Sequence, residues 1–116
     1  MEHVMRLHTQ PFNMIKSGEK TIELRLNDEK RQKIRVGDKI TFIHTRNQAE
    51  KLFCQVTALY PFPSFVELYK ALPLEKCGYT VVELNTASPA DMNVYYSEEE
   101  QRKYGVLGIE IEKIEK

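Results

Sequence analysis

The sequence has no tryptophan, two cysteines, three histidines, and five each of glycine and proline among its 116 residues. Cys54 and Cys77 form no CxxC pair. His3, His8 and His44 are scattered singly, with no HxH or HExxH run, so the spacing of a zinc site is missing. Cys54 lies inside an apolar alternating run and is expected to be a buried free thiol. No apolar stretch approaches the roughly 20 residues of a membrane span. The opening Met-Glu-His-Val-Met-Arg lacks the basic-then-apolar order of a signal peptide. These absences predict a cytoplasmic protein with reduced thiols. Net charge is missing too: seventeen Lys and Arg cancel seventeen Asp and Glu. A protein that coats nucleic acid through many phosphate contacts carries a large basic excess, so a long nucleic-acid groove is not expected. A small local anion site remains compatible with this balance.

An apolar fraction of 41% and a charged fraction of 29% are ordinary globular usage and exclude a disordered, collagenous or fibrous chain. The length predicts a single domain over residues 1–116, long enough to bury roughly two-thirds of its extended surface without staples. Charge is distributed unevenly. Residues 1–50 hold ten basic and seven acidic side chains, whereas residues 91–116 hold four basic and seven acidic. The densest basic run is Lys30, Arg31, Lys33, Arg35 and Lys39. Its plain reading is a solvated loop, and a phosphate-binding patch is the alternative.

Hydropathy patterning gives the order of elements. His3 to His8 alternates as a strand, with Met5 and Leu7 on one face. Thr9 is expected to cap a short helix that Gly18 closes. Lys20 to Leu26 reads as a strand with Ile22, Leu24 and Leu26 on one side and Thr21, Glu23 and Arg25 on the other. A turn at Val36-Gly37-Asp38 leads to a strand burying Ile40 and Phe42. A polar hairpin tip at Asn47 to Glu50 precedes a long strand from Lys51 to Tyr60, with Leu52, Cys54, Val56 and Ala58 on one face and Pro61 and Pro63 as its stop. Ser64 with Glu67, and Ser97 with Glu100, are capping boxes that open helices, and Ser88-Pro89 is a third helix start. Residues 74–87 show no period. Val106 to Ile114 is the last strand, burying Leu107, Ile109 and Ile111. The order β-α-β-β-β-α-α-α-β, with strands mostly linked as hairpins, predicts an α+β fold: a small, largely antiparallel β-barrel decorated by short helices.

Chemistry concentrates in Lys16-Ser17-Gly18-Glu19-Lys20-Thr21-Ile22-Glu23-Leu24-Arg25. On a regular strand Glu23 and Arg25 share a face and can pair, whereas Lys20 has the parity of Ile22 and Leu24. Lys20 therefore sits in the barrel mouth or belongs to the turn. A lysine driven toward an apolar interior acts as a base or binds an anion. The alternative is a solvated Glu23–Arg25 face with Lys20 snorkelling. Pattern alone leaves both open.

The run Gly18-x-Lys20-x-x-Glu23-x-Arg25 resembles the signature of the ASCH domain, a branch of the PUA-like β-barrels. The likeness continues through Leu26 to Arg31, through Val36-Gly37-Asp38-Lys39-Ile40-x-Phe42, and from Tyr96-Ser97-Glu98-Glu99-Glu100 to Tyr104-Gly105-Val106-Leu107-Gly108-Ile109. It is similar to the small single-domain prokaryotic members, and residues 60–95 match only loosely. The resemblance implies a PUA-like barrel with a cleft beside the first helix, lined by Lys20, Glu23 and Arg25. It also implies binding of RNA or of a small nucleoside- or nucleotide-like ligand. Tyr95 and Tyr96 are the nearest stacking candidates, with packing of the last helices as their competing role.

Some small ASCH proteins resemble amidohydrolases that act on N4-acetylcytidine-like acylated nucleosides. That resemblance makes Lys20 and Glu23 the catalytic pair of an alternative, enzymatic reading, but the position expected to carry a threonine nucleophile is Glu23 here. Thr21 has the wrong parity to replace it, and the distal acid has only Glu67 as a candidate. A metal-independent ribonuclease using Lys20 and Glu23 is a second enzymatic version. The acidic run Glu98–Glu100 and the basic loop offer docking surfaces for an adaptor, supported by charge alone. No cofactor, no metal and no obligate protein partner are expected.

Overall fold

The structure is a computed structural model and describes residues 1–114. Its five strands are β1 (Glu2–Leu7), β2 (Ile22–Leu26), β3 (Lys39–His44), β4 (Lys51–Phe62) and β5 (Val106–Lys113). The helices are α1 (Thr9–Ser17), α2 (Phe65–Ala71), α3 (Val81–Leu84) and α4 (Glu98–Tyr104). Three 3-10 turns, Arg31–Lys33, Leu74–Cys77 and Pro89–Val94, fill the connections. The strands form one curved sheet in the order β1-β3-β4-β5-β2, a half-barrel whose two edges are β1 and β2.

Three of the four strand pairings are antiparallel, and β1 runs parallel to β3. Hairpins are scarcer than the pattern suggests: β3 and β4 are joined by a short turn, whereas β4 and β5, also antiparallel partners, are separated by the helical segment 65–104. β2 crosses the molecule to pair with β5, which follows it by about eighty residues. β4 does most of the joining. It pairs with β3 over residues 51–55 and with β5 over residues 54–62, so its second half borders β5 alone. Pro61 therefore sits inside the strand, opposite Leu107, on a stretch that β3 no longer borders and where its missing N–H breaks no ladder. The expected stop at Pro61 moves to Pro63.

A bulge between Val56 and Ala58 shifts the register of β4 against β5. After it, Leu59 faces Ile109 and packs on the core, taking the place expected for Ala58. Thr9 also departs from expectation. His8 holds the cap position of α1, and the Thr9 hydroxyl bonds His44 Nε2 on β3 at 2.8 Å. The Ser64 box is partial, with the hydroxyl accepting from Val66 N–H and donating to the Glu67 carboxylate. Ser88 with Asp91 and Ser97 with Glu100 form full capping boxes.

Two apolar clusters hold the fold, one on each face of the β2–β5 pair. On the concave face Met5, Leu7, Ile40, Phe42, Val56, Leu107 and Ile109 close against Phe12 and Ile15 of α1. On the convex face Ile22, Leu24 and Val106 lie beneath Phe65 and Leu68 of α2, together with Cys77 and Met92. Gly108 permits this second layer, because a Cβ there would stand 2.8 Å from Leu72 Cδ1. Both thiols are free and buried, and desolvation raises the Cys54 pKa to about 11 and the Cys77 pKa to about 12. Among the described residues no helix is long and apolar enough to cross a membrane.

Candidate functional site

Register decides where the charged residues of β2 point. Directly opposed residues of an antiparallel pair share a face. Ile22 and Leu24 oppose Glu110 and Gly108, the face covered by α2, whereas Glu23 and Arg25 oppose Ile109 and Leu107. Glu23 and Arg25 thus project from the concave, core-bearing face near the edge of the half-barrel, and both faces of β2 are covered. The solvated-face alternative fails here: Glu23 is only 4% exposed.

Lys20 joins them because it precedes the strand. Its backbone N–H bonds the Met14 carbonyl, and Thr21 N–H bonds Lys76, so residues 20 and 21 form the turn out of α1. Freed from strand parity, Lys20 Nζ reaches Glu23 Oε1 at 2.6 Å, while Arg25 Nε holds Glu23 Oε2 at 2.7 Å. Arg25 Nη2 also donates to the Arg6 carbonyl. Burial is the largest influence on the Glu23 carboxyl and raises its pKa, but the two cations and their hydrogen bonds outweigh it and leave the pKa lowered. Glu23 is therefore an anion with each oxygen engaged. The trio carries one net positive charge, and its cations keep N–H groups beyond those given to Glu23.

The cluster opens on a cavity of about 660 Å³ between α1, the β1–β2 edges and the segment 77–96. Gly78 brings that segment down onto the lysine. Its φ is +107°, and a Cβ there would sit 3.3 Å from Lys20 Cδ. Lys20, Glu23, Arg25, Tyr95 and Tyr96 all line this one cavity. The two tyrosines differ in kind. Tyr96 packs on Phe65 with ring centroids 6.4 Å apart and belongs to the convex core, whereas Tyr95 is 66% exposed. Thr21 and Glu67 do not line the cavity. Glu67 lies exposed at the start of α2, held by Ser64, so the candidate distal acid is away from the cluster. The basic run 30–39 is also off the cavity, and Arg31 within it pairs with Asp28 at 3.1 Å.

Sequence reasoning missed Tyr79 and Asp91 on the cavity wall. Tyr79 donates to Asp91 Oδ2 at 2.8 Å and lies 2.6 Å from the Tyr69 hydroxyl. Ser88-Pro89 marks a helix start in the sequence, but nothing there brings Tyr79 and Asp91 to the same cavity as Lys20. Among the described residues no group of three His, Cys, Asp or Glu side chains is placed to hold a metal ion.

The comparisons agree with this architecture. A protein described as "hypothetical protein PH0355" is 34% identical and superposes with a TM-score of 0.79 over 98% of this chain and 100% of its own. The protein PF0455 from Pyrococcus furiosus is 36% identical, with a TM-score of 0.73 and full coverage of both chains. An ASCH domain from Lactobacillus crispatus, 13% identical, shares the fold at a TM-score of 0.63 over 97% of this chain and 79% of its own. No curated protein matches the chain in sequence. A family model described as the ASCH domain matches residues 5–115. The signature around Lys20, the PUA-like half-barrel and this match together establish that the chain belongs to the ASCH domain family.

Proposed function

We propose that the chain binds RNA or a nucleotide-like ligand in the Lys20–Arg25 cleft, with Lys20 and Arg25 receiving a phosphate or carbonyl oxygen. The observation that carries this reading is the pairing of Glu23. A buried carboxylate holds two cations beside a 660 Å³ cavity, leaves one excess positive charge, and fixes both side chains before a ligand arrives. Glu23 serves to position the cations. Tyr95, exposed at the rim, offers a face for a base. Family membership supports the nucleic-acid class of ligand. Neutral overall charge and a single cationic cluster favour a mononucleotide or a short single strand over a long duplex.

The enzymatic alternative asks more of the same residues. A general base needs a pKa near neutrality, whereas Lys20 and Arg25 hold the Glu23 carboxyl below its usual value. Thr21 offers no hydroxyl to the cavity. Binding is the better use of this geometry.

Fluorescence anisotropy with a short labelled single-stranded RNA across a salt series tests the proposal. The expected result is saturable binding whose logarithm falls with log salt at a slope of roughly −0.7 to −1.4, the value for one or two phosphates. Failure to bind, or a steep slope of many phosphates, overturns it.

A further inference from the structure

The wall formed by Tyr79 and Asp91 gives the cavity a second, opposite polarity. Tyr79 has a single hydroxyl hydrogen, which it donates to Asp91 Oδ2. The 2.6 Å contact between Tyr69 and Tyr79 must then be donated by Tyr69, which makes a directed chain from Tyr69 through Tyr79 to Asp91. Ser88 N–H donates to the same Asp91 oxygen at 3.1 Å. Backbone and side chain thus hold this carboxylate from one side, through Oδ2. Burial, with its hydrogen-bonded neighbours, pushes the Tyr79 pKa up, so the chain keeps its protons and its direction.

Resting on the nucleotide-binding reading above, we propose that Asp91 is a specificity residue: its carboxylate accepts from the exocyclic amino group of a cytosine or adenine whose phosphate lies at Lys20 and Arg25. The chemistry is one-sided. A carboxylate anion accepts and never donates, so it favours an amino group and repels the carbonyl oxygen that uracil or hypoxanthine places at the same position. One cavity thus offers cationic donors to an anion and an anionic acceptor to a base, and a nucleotide with an amino-bearing base has both complements.

The test compares cytidine with uridine 5′-monophosphate, and adenosine with inosine 5′-monophosphate, by isothermal titration of the whole chain. Within each pair the phosphate and ribose are the same. The expected result is that each amino-bearing nucleotide binds about tenfold more tightly than its oxo partner, the worth of one charge-assisted hydrogen bond. Asp91→Asn, whose amide can present either a donor or an acceptor, brings both ratios close to one. Equal affinities in the unaltered protein overturn the role of Asp91 and leave the nucleotide-binding reading standing. No binding of any of the four overturns the role of Asp91 and the mononucleotide form of that reading, and the RNA anisotropy series then decides the short-strand form. The ratios in the unaltered protein decide the matter even if the variant does not fold.

Discussion

Arg25 ties the two edges of the half-barrel together: from β2, its Nη2 donates to the carbonyl of Arg6 on β1 at 3.1 Å. The same guanidinium holds Glu23 through Nε at 2.7 Å. A planar fork can make both bonds at once, and an ammonium group on a flexible stem cannot hold both in that geometry. Arg25→Lys should therefore cost about 1–3 kcal/mol in urea unfolding, the worth of one or two such bonds. Amide exchange should quicken at the ends of β1 and β2. Unchanged stability and exchange would mean the seam is held elsewhere.

Glu23 is the counter-charge of a buried trio. Glu23→Gln leaves Lys20 and Arg25 without it, and breaking a buried pair from one side costs about 3–5 kcal/mol. Denaturant unfolding should show that loss. A variant as stable as the parent would mean that water solvates the two cations well enough to replace the carboxylate.

The segment 77–96 reaches Lys20 only because residue 78 has no side chain. Gly78→Ala combines an unfavourable φ of +107° with a Cβ 3.3 Å from Lys20 Cδ. Destabilisation of about 1 kcal/mol or more is expected. Nucleotide affinity should fall with it, because the lysine is displaced from Glu23. Retained affinity at reduced stability would separate the loop from the site.

Much of the fold was legible in the residues because alternation is a local signal. Met5 with Leu7, Ile40 with Phe42, and Leu107 with Ile109 point inward as their spacing predicts. The partners of β2 were not legible. Nothing near Ile22–Leu26 in the chain announces β5, and the alternation at Glu23 and Arg25 fits a solvated face as well as a buried pair. The covering of both faces follows from α2 and the segment after it, which pack on the convex side. The site was half legible for the same reason. Lys20, Glu23 and Arg25 are neighbours in sequence, whereas Tyr79 and Asp91 join them through a stretch without periodicity. The bulge at Val56/Ala58 left no trace in composition, so Leu59 rather than Ala58 was the surprise.

Acid stability reports on a second charged centre. Asp38 accepts from His3 Nε2 at 2.8 Å and from Arg35 N–H at 3.0 Å, and these bonds lower its pKa from 3.8 to about 2. A carboxylate whose folded pKa is lowered gives stability that is present above its unfolded value and disappears as pH falls through the folded one. This contribution should be lost between pH 3.8 and about 2. Asp38→Asn should flatten that part of a Tm-against-pH profile. A variant with the parent's slope there would assign the acid sensitivity to other carboxylates.

The claim that Lys20 and Arg25 form the anion-binding centre of the cleft is tested most directly by an amide-resolved NMR titration with cytidine 5′-monophosphate, repeated on Lys20→Gln. The account predicts saturable shifts at residues 20–25, 78–79 and 91–96 that are lost in the variant while its folded spectrum persists. Shifts centred on the basic run 30–39, or shifts at 20–25 that survive in Lys20→Gln, would contradict it.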